Sequence, residues 1–175
     1  MRRLMLLRHA KSDWSAPGTR DQERPLSARG REAAPKMGTY MARHGLVPDL
    51  VIASPATRVT ETLALVLPAF AKQPKAMPDA RIYETDADEL LKVIKGAPRS
   101  VHNLLLAGHN PSLADLASLL MASGDVDTRQ RLIEKFPTAA LAVIDFPLDD
   151  WSKIHPKSGR LDRFVLPKAL DSETA

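Results

Sequence analysis

Four short apolar runs stand out along the chain, and each has the length of a β-strand. They are residues 4–7 ("LMLL"), 50–53 ("LVIA"), 104–107 ("LLLA") and 141–146 ("LAVIDF"), with a weaker candidate at residues 164–166. Nearly continuous apolarity, without a polar residue at every second position, is typical of strands that are covered on both faces. The pattern therefore predicts a sheet that is buried on both sides.

Segments with helical spacing lie between these runs. Residues 27–44, 57–67, 86–95 and 112–121 carry apolar side chains three and four positions apart, and Gly45 is well placed to end the first of them. Pro35 lies inside that first segment and predicts a kink or a late helix start. Strands that alternate with helices indicate βαβ units. We therefore expect an α/β fold, a three-layer sandwich with a mainly parallel central sheet and helices on both faces.

Length and composition fit this picture and exclude several classes of protein. The 175 residues suit a single domain over 1–175, in which we expect the last five, "DSETA", to be frayed. No apolar run approaches the roughly 18–20 residues that span a bilayer, and the first run is too short for a secretory signal. We therefore expect a cytoplasmic protein without a membrane partner, as a monomer or a weak dimer.

Charge and cysteine content narrow the chemistry further. The net charge of +4 favours anionic substrates, but no block of lysine and arginine is interleaved with aromatic residues, so no nucleic-acid partner is expected. The chain has no cysteine, which excludes disulfides, thiolate metal sites and a cysteine nucleophile.

Three of the predicted strands end on basic or titratable residues. Residues 4–7 run into Arg8 and His9, residues 50–53 lead towards Arg58, and residues 104–107 run into Gly108 and His109. Because the carboxyl ends of parallel strands meet at one edge of a sheet, where ligand sites form, these side chains are expected to share one site.

Two helix starts are predicted at the same edge. Ser54-Pro55 and Asn110-Pro111 each have the form of a helix N-cap followed by proline at the first helical position. Helix N-termini favour anions, and arginines bind them. Each motif alone also fits a purely structural role, but together they predict a pocket for a phosphoryl group.

A metal site is the alternative use of the two histidines. His9 and His109 could ligate a metal, but no further ligand stands beside either of them at a typical metal-binding spacing. We therefore expect no metal and no cofactor.

These motifs resemble those of a known family. Arg8-His9-Ala10, Arg58 and His109 are similar to the signature of the histidine phosphatase superfamily. More narrowly, "LLRHAKSDW", "RPLSARG", "SPATRVTET" and "AGHNPSL" resemble, in this order, its small SixA-type branch of phosphohistidine phosphatases. The resemblance implies a phosphoglycerate mutase-like fold in one histidine phosphatase domain. It also implies metal-independent hydrolysis of phosphoric monoesters or phosphoramidates.

The resemblance also implies roles for individual residues. His9 would attack phosphorus and form a phosphohistidine that water hydrolyses. Arg8, Arg58 and His109 would bind the phosphoryl oxygens, with His109 best suited in its protonated form.

Further candidates have weaker support. Glu84, in "RIYETDADEL", is the candidate general acid, although it also fits a charge near a helix N-terminus. By the resemblance, Arg24 and Ser12 are expected to contact substrate at the rim of the pocket, although for Arg24 a structural role is equally compatible. Asn110 is expected to contact substrate as well. Ser27, as an N-cap, and Gly30 are expected to be structural.

The substrate class follows from how little chain is left to cover the pocket. Two predicted helices lie between Arg58 and His109, and few residues are left there for a lid. An open pocket favours a phosphohistidine on a protein surface, with a small ester such as a sugar phosphate as the alternative. A mutase is also conceivable. A non-catalytic phosphate-binding regulatory module is the alternative from another class, although such a module has no need of a nucleophile.

Overall fold

One sheet organises the chain in a computed structural model that describes residues 1–171; of the expected frayed end, residues 172–175 lie outside the described part. The strands are β1 (Arg2–Arg8), β2 (Leu50–Ala53), β3 (Lys75–Pro78), β4 (Asn103–Gly108), β5 (Met121–Gly124), β6 (Leu141–Phe146) and β7 (Gly159–Val165). Their order is β3-β2-β4-β1-β6-β7-β5. β6 is antiparallel to its neighbours β1 and β7, and the remaining pairings are parallel.

Helices cover both faces of this sheet. They are α1 (Ala28–Arg43), α2 (Thr57–Val66), α3 (Ala87–Lys95), α4 (Ser112–Leu120), α5 (Val126–Glu134) and α6 (Pro167–Leu170). None of these helices combines the length and the apolarity needed to cross a membrane. The three-layer sandwich with a mainly parallel sheet is confirmed.

Strand β1 lies at the centre of the sheet and contributes to both layers of the core. Leu4 and Leu6 belong to the apolar cluster that also contains the buried side chains of α3, α4 and α5. Met5 and Leu7 belong to the opposite cluster, with the buried faces of α1, α2 and α6. The run "LMLL" has no polar position because neither face of β1 contacts solvent.

Helix α1 departs from the sequence-based expectation at Pro35. The helix begins at Ala28, where the Ser27 hydroxyl accepts from the Gly30 amide at 3.1 Å, and it continues through Pro35 to Arg43. The expected late start is therefore wrong. Proline removes one helical hydrogen bond, but the buried face of α1, which includes Ala34 and Met37, holds the helix against the sheet.

Helices α2 and α4 begin at Thr57 and Ser112, as the predicted segments 57–67 and 112–121 do. The expected N-caps Ser54 and Asn110, each followed by proline at the first helical position, are wrong. Ser54 does not cap α2 because its amide still donates to the Ala107 carbonyl at 3.0 Å, so that the residue extends the sheet. For α4, Pro111 and not Asn110 occupies the N-cap position.

Several peripheral elements were not predicted. They bury few side chains, so their sequences show little apolar periodicity. β3 is an edge strand whose four residues are all exposed, and α5 buries only Leu132 along its length. β5 and the short α6 were also missed, and the strand predicted at 164–166 is the end of the longer β7.

A test of this packing uses the close approach of α1 to α2. A Cβ atom at Gly38 would lie 2.5 Å from the Val66 carbonyl oxygen, so Gly38→Ala forces two backbones apart. We expect a loss of about 1–3 kcal/mol in the free energy of unfolding, measured with urea. Gly96→Ala is the control, because its Cβ would meet no atom closer than 3.4 Å. Equal stability of both variants and the wild type would contradict the packing.

Candidate active site

The backbone around His9 is held by strand β4 on one side and by the turn that precedes β6 on the other. The His9 amide donates to the Gly108 carbonyl of β4 at 3.1 Å. On the other side, the Ala139 amide donates to the carbonyls of Arg8 and His9, at 3.1 and 3.0 Å. The first residues beyond β1 therefore keep the rigidity of the sheet.

A buried threonine connects this segment to the helix that carries Arg58. The Thr62 hydroxyl accepts from the Ala10 amide at 2.9 Å and donates to the Arg58 carbonyl at 2.6 Å. Thr62 follows Arg58 by four residues and so lies on the same face of α2. The sequence analysis did not single out Thr62. Its four-residue spacing from Arg58 was the signal that could have identified it.

The hydrogen bond of the His9 ring defines which nitrogen is free. Nδ1 lies 2.7 Å from the Ala10 carbonyl oxygen. Because a carbonyl oxygen only accepts, Nδ1 carries the proton and Nε2 of the neutral ring holds a lone pair. Burial, assisted by the charges of Arg58 and Arg8 and opposed by the bond to Ala10, lowers the pKa of His9 to about 4. At neutral pH the His9 ring is therefore uncharged, with a lone pair on Nε2.

His109 is the second histidine of the site and is likewise buried. Its ring centroid lies 5.3 Å from that of His9, and the ring of Tyr83 packs edge-on against it at 5.6 Å. Its Nε2 atom lies 2.7 Å from Ser54 Oγ. Burial, followed by the proximity of His9 and Arg58, lowers the pKa of His109 to about 3. This low pKa favours a neutral ring at neutral pH, in contrast to the protonated form that the resemblance implies.

The two predicted arginines join the histidines at this edge. Arg8 donates to the Phe136 carbonyl at 2.9 Å, and burial together with nearby Arg58 lowers the pKa of its guanidinium. Arg58 donates to the Asp21 carbonyl at 2.7 Å and to the Asp21 carboxylate at 3.1 Å. With two guanidiniums, one carboxylate and two neutral imidazoles, the site carries a net positive charge.

Asp21 and Tyr83 are functional candidates that the sequence analysis missed. The Tyr83 hydroxyl donates to the Asp21 carboxylate at 2.5 Å. This bond, together with Arg58, lowers the pKa of Asp21 and keeps it ionised, and the same bond raises the pKa of Tyr83 to about 12. Asp21 begins the short 3₁₀ helix Asp21–Glu23, and Tyr83 follows the short 3₁₀ helix Ala80–Ile82. Segments this short show no periodicity, so no pattern in the sequence marked either residue.

Arg24 and Ser12 lie in the two segments that border Asp21 and the end of β1. The Arg24 guanidinium stacks on the ring of Trp14 at 3.9 Å, and its Nε lies 4.0 Å from the Asp21 carboxylate. Ser12 pairs through its backbone with Leu26. Contact of Arg24 or Ser12 with substrate stays a prediction.

Asn110 uses its side chain within the protein. Its amide nitrogen donates to the Phe136 carbonyl at 2.9 Å, the same oxygen that accepts from Arg8. Its amide oxygen accepts from the Ala114 backbone at 3.3 Å, inside the first turn of α4. These bonds give Asn110 a structural role. Its contact with substrate stays a prediction.

Glu84 lies directly after Tyr83 on the surface. It adopts a left-handed backbone conformation, with φ of 51°, that non-glycine residues rarely adopt. Its side chain forms no hydrogen bond or ion pair within residues 1–171. Its role as general acid stays a prediction.

The expected structural roles in "RPLSARG" are confirmed. Ser27 caps α1 through its side chain, and its backbone amide donates to the Lys11 carbonyl at 2.8 Å. A Cβ atom at Gly30 would lie 2.2 Å from the same carbonyl oxygen, so α1 can approach the end of β1 only with glycine there. The Leu26 amide donates to the Glu61 carboxylate at 2.8 Å, which connects this loop to α2.

The cluster as a whole brings a neutral imidazole together with positively charged side chains. Neutral His9 presents a lone pair, and Arg8, Arg58 and His109 surround it with donors or positive charge. Among residues 1–171, no group of three or more histidine, aspartate or glutamate side chains is arranged to hold a metal ion. The geometry suits nucleophilic attack on a tetrahedral anion.

Comparisons with known proteins agree with this chemistry. The model of the histidine phosphatase superfamily (branch 1) matches residues 4–94. A protein of Mycobacterium tuberculosis is 31% identical over 165 residues, which cover 93% of this chain and 100% of that protein.

Solved structures share the fold over nearly the whole chain. The crystal structure of a candidate phosphohistidine phosphatase SixA from Agrobacterium tumefaciens matches with a TM-score of 0.80 at 29% identity, over 95% of this chain and 98% of that one. A mycobacterial glucosyl-3-phosphoglycerate phosphatase in complex with VO3 matches with a TM-score of 0.64 at 17% identity, over 93% and 98% of the two chains. These matches confirm the expected phosphoglycerate mutase-like fold.

The buried histidines predict a loss of stability in acid. The pKa of His9 is about 4 in the folded protein against an ordinary 6.5, so the unfolded chain binds the proton first as the pH falls. From pH 7 to pH 5, His9 alone should remove about 2 kcal/mol from the free energy of unfolding. His9→Gln should lack this contribution in urea titrations at the two pH values. The exposed His155→Gln variant is the control and should retain the wild-type loss; an equal loss in His9→Gln would contradict the burial effect.

Proposed function

The chain belongs to the histidine phosphatase superfamily and is similar to its SixA-type branch; on this premise we propose that it dephosphorylates phosphohistidine on proteins, through a covalent intermediate on His9. The observation that carries the proposal is the neutral His9 ring, whose Nδ1 donates to Ala10 and whose Nε2 is left free beside two arginines and a second histidine.

The reaction begins with attack of His9 Nε2 on phosphorus. The bond between phosphorus and the leaving nitrogen breaks as the new N–P bond forms, and the leaving imidazole takes up a proton. Water then attacks the phosphohistidine, which releases inorganic phosphate and regenerates the neutral ring. Because the low pKa keeps His9 unprotonated at neutral pH, no base is needed to prepare it.

The positive groups of the site stabilise the transferred phosphoryl group. Arg8 and Arg58 bind its oxygens, and a guanidinium matches two such oxygens at once. Arg58 is paired with Asp21, so the phosphoryl group would share this guanidinium with the carboxylate. Loss of one such contact should lower the rate by about 10²–10³-fold.

Two features support a protein substrate. Most of the residues between Arg58 and His109 belong to α2, β3, α3 and β4, so no long insertion in this part of the chain is available as a lid. Trp14, which stacks on Arg24, keeps 62% of its surface exposed. An exposed, stacked indole next to the site offers a surface for the peptide that flanks a phosphohistidine.

The proposal is tested with a panel of a phosphohistidine peptide, a phosphohistidine protein and sugar phosphates. We expect the highest kcat/KM on the phosphohistidine substrates, no turnover by His9→Ala, and an acid-labile phosphoenzyme localised to His9. The exposed-histidine variant His155→Ala is the control and should retain activity.

Each contrary outcome identifies a different error. Activity of His9→Ala comparable to the wild type would overturn the mechanism. A clear preference for sugar phosphates would make the protein a small-ester phosphatase. Phosphate binding by the wild type without turnover or phosphoenzyme would make it a binding module.

The predicted role of Glu84 is tested by changing the leaving group. An alkoxide needs a proton as it departs, whereas an imidazole nitrogen is protonated easily. Glu84→Gln should therefore lower kcat on an alkyl phosphate by about 10²-fold or more and have little effect on a phosphohistidine peptide. Asp88→Asn, an exposed carboxylate in the first turn of α3, is the control. Negligible losses on both substrates would remove Glu84 from the mechanism.

A further inference from the structure

The two ring nitrogens of His109 have very different surroundings. Nε2 lies 2.7 Å from Ser54 Oγ. Nδ1 is buried and has no hydrogen-bond partner within residues 1–171. A buried polar atom without a partner is costly and uncommon in proteins, and at a ligand site it indicates where the ligand supplies the partner.

The bonds of Ser54 decide which nitrogen carries the proton. Ser54 Oγ already accepts from the Ala56 amide at 3.2 Å, and its hydroxyl hydrogen has no acceptor in the described chain other than His109 Nε2. If the hydroxyl donates to Nε2, only the Nδ1–H group stays unpaired. If Nε2 instead donates to the hydroxyl, both the serine hydrogen and the Nδ1 lone pair are left buried without partners. The first arrangement satisfies more groups.

We propose that Ser54 is a positioning residue that places the proton of neutral His109 on Nδ1, from which the ring donates a hydrogen bond to a phosphoryl oxygen. This inference rests on the proposed function and deepens it. His109 then acts as a neutral donor and does not need to be a cation.

With the proton on Nδ1, His109 can donate a hydrogen bond to a phosphoryl oxygen although burial keeps its ring uncharged. Its pKa of about 3 leaves the ring uncharged at neutral pH, and an uncharged imidazole donates from only one nitrogen. With the proton on Nε2, the Nδ1 lone pair would repel a phosphoryl oxygen. The backbone of Ser54 is itself held by the sheet, because its amide donates a hydrogen bond to the Ala107 carbonyl. The serine therefore stays next to the ring of His109.

The direct test is an NMR measurement of the imidazole nitrogens in histidine-labelled protein without substrate. In the wild type, we expect His109 to show a protonated Nδ1 and an unprotonated Nε2 between pH 6 and pH 8. In Ser54→Ala, where Nε2 loses its donor, we expect the proton to move wholly or partly to Nε2. A wild-type proton on Nε2, or an unchanged proton position in Ser54→Ala, would overturn the proposal.

Kinetics with para-nitrophenyl phosphate give the functional readout. We expect kcat/KM of Ser54→Ala to fall by at least about tenfold, short of the roughly 10²–10³-fold that removal of a donor costs. Ser112→Ala is the matched control, because this buried hydroxyl donates to the His109 backbone carbonyl at 2.9 Å and not to its ring. It should keep the wild-type proton position and activity.

The two measurements separate this inference from the proposed function. If the wild type has the proton on Nδ1 but hydrolyses no phosphate, the proposed function fails and the assignment of the proton stands. If the wild type is active and Ser54→Ala is equally active, the role of Ser54 fails alone.

Discussion

The position of β1 at the centre of the sheet is the constraint on which the rest of the site depends. β1 pairs with β4 on one edge and with β6 on the other, and the residues of its apolar run are fully buried. Arg8 and His9 therefore leave the sheet with a backbone that cannot adjust. The same burial removes water from the His9 ring and lowers its pKa, so one packing arrangement both positions the proposed nucleophile and keeps it uncharged at neutral pH.

The site carries more positive than negative charge. Arg8 and Arg58 lie close enough that Arg58 contributes to the lowered pKa of Arg8, and Asp21 is the only carboxylate that pairs with either guanidinium within residues 1–171. Tyr83 donates a hydrogen bond to that carboxylate. The net positive charge favours an anion over a neutral ligand, in agreement with the proposed function.

The sequence was informative where burial constrains it and uninformative where contacts come from loops. Apolar runs marked β1, β2, β4 and β6 because these strands are covered on both faces, and the basic residues at their ends followed from that assignment. Exposed β3 had no such pattern, and Asp21 and Tyr83 meet the site only through the tertiary fold. Ser54 was singled out for the wrong reason: it resembled a helix cap, but its amide still belongs to the sheet.

Ser54 does not cap α2, and this accounts for the opposite roles proposed for the two histidines His9 and His109. Because α2 begins only at Thr57, the Ser54 hydroxyl is available to the ring of His109 at 2.7 Å. At His9 the partner is a backbone carbonyl, which can only accept, and it leaves a lone pair on Nε2. In the proposed arrangement the partner of His109 is a hydroxyl that donates to Nε2, which leaves an N–H group on Nδ1. Under the proposed function, the hydrogen-bond partner of each neutral ring, and not its charge, would then decide which ring attacks and which one binds.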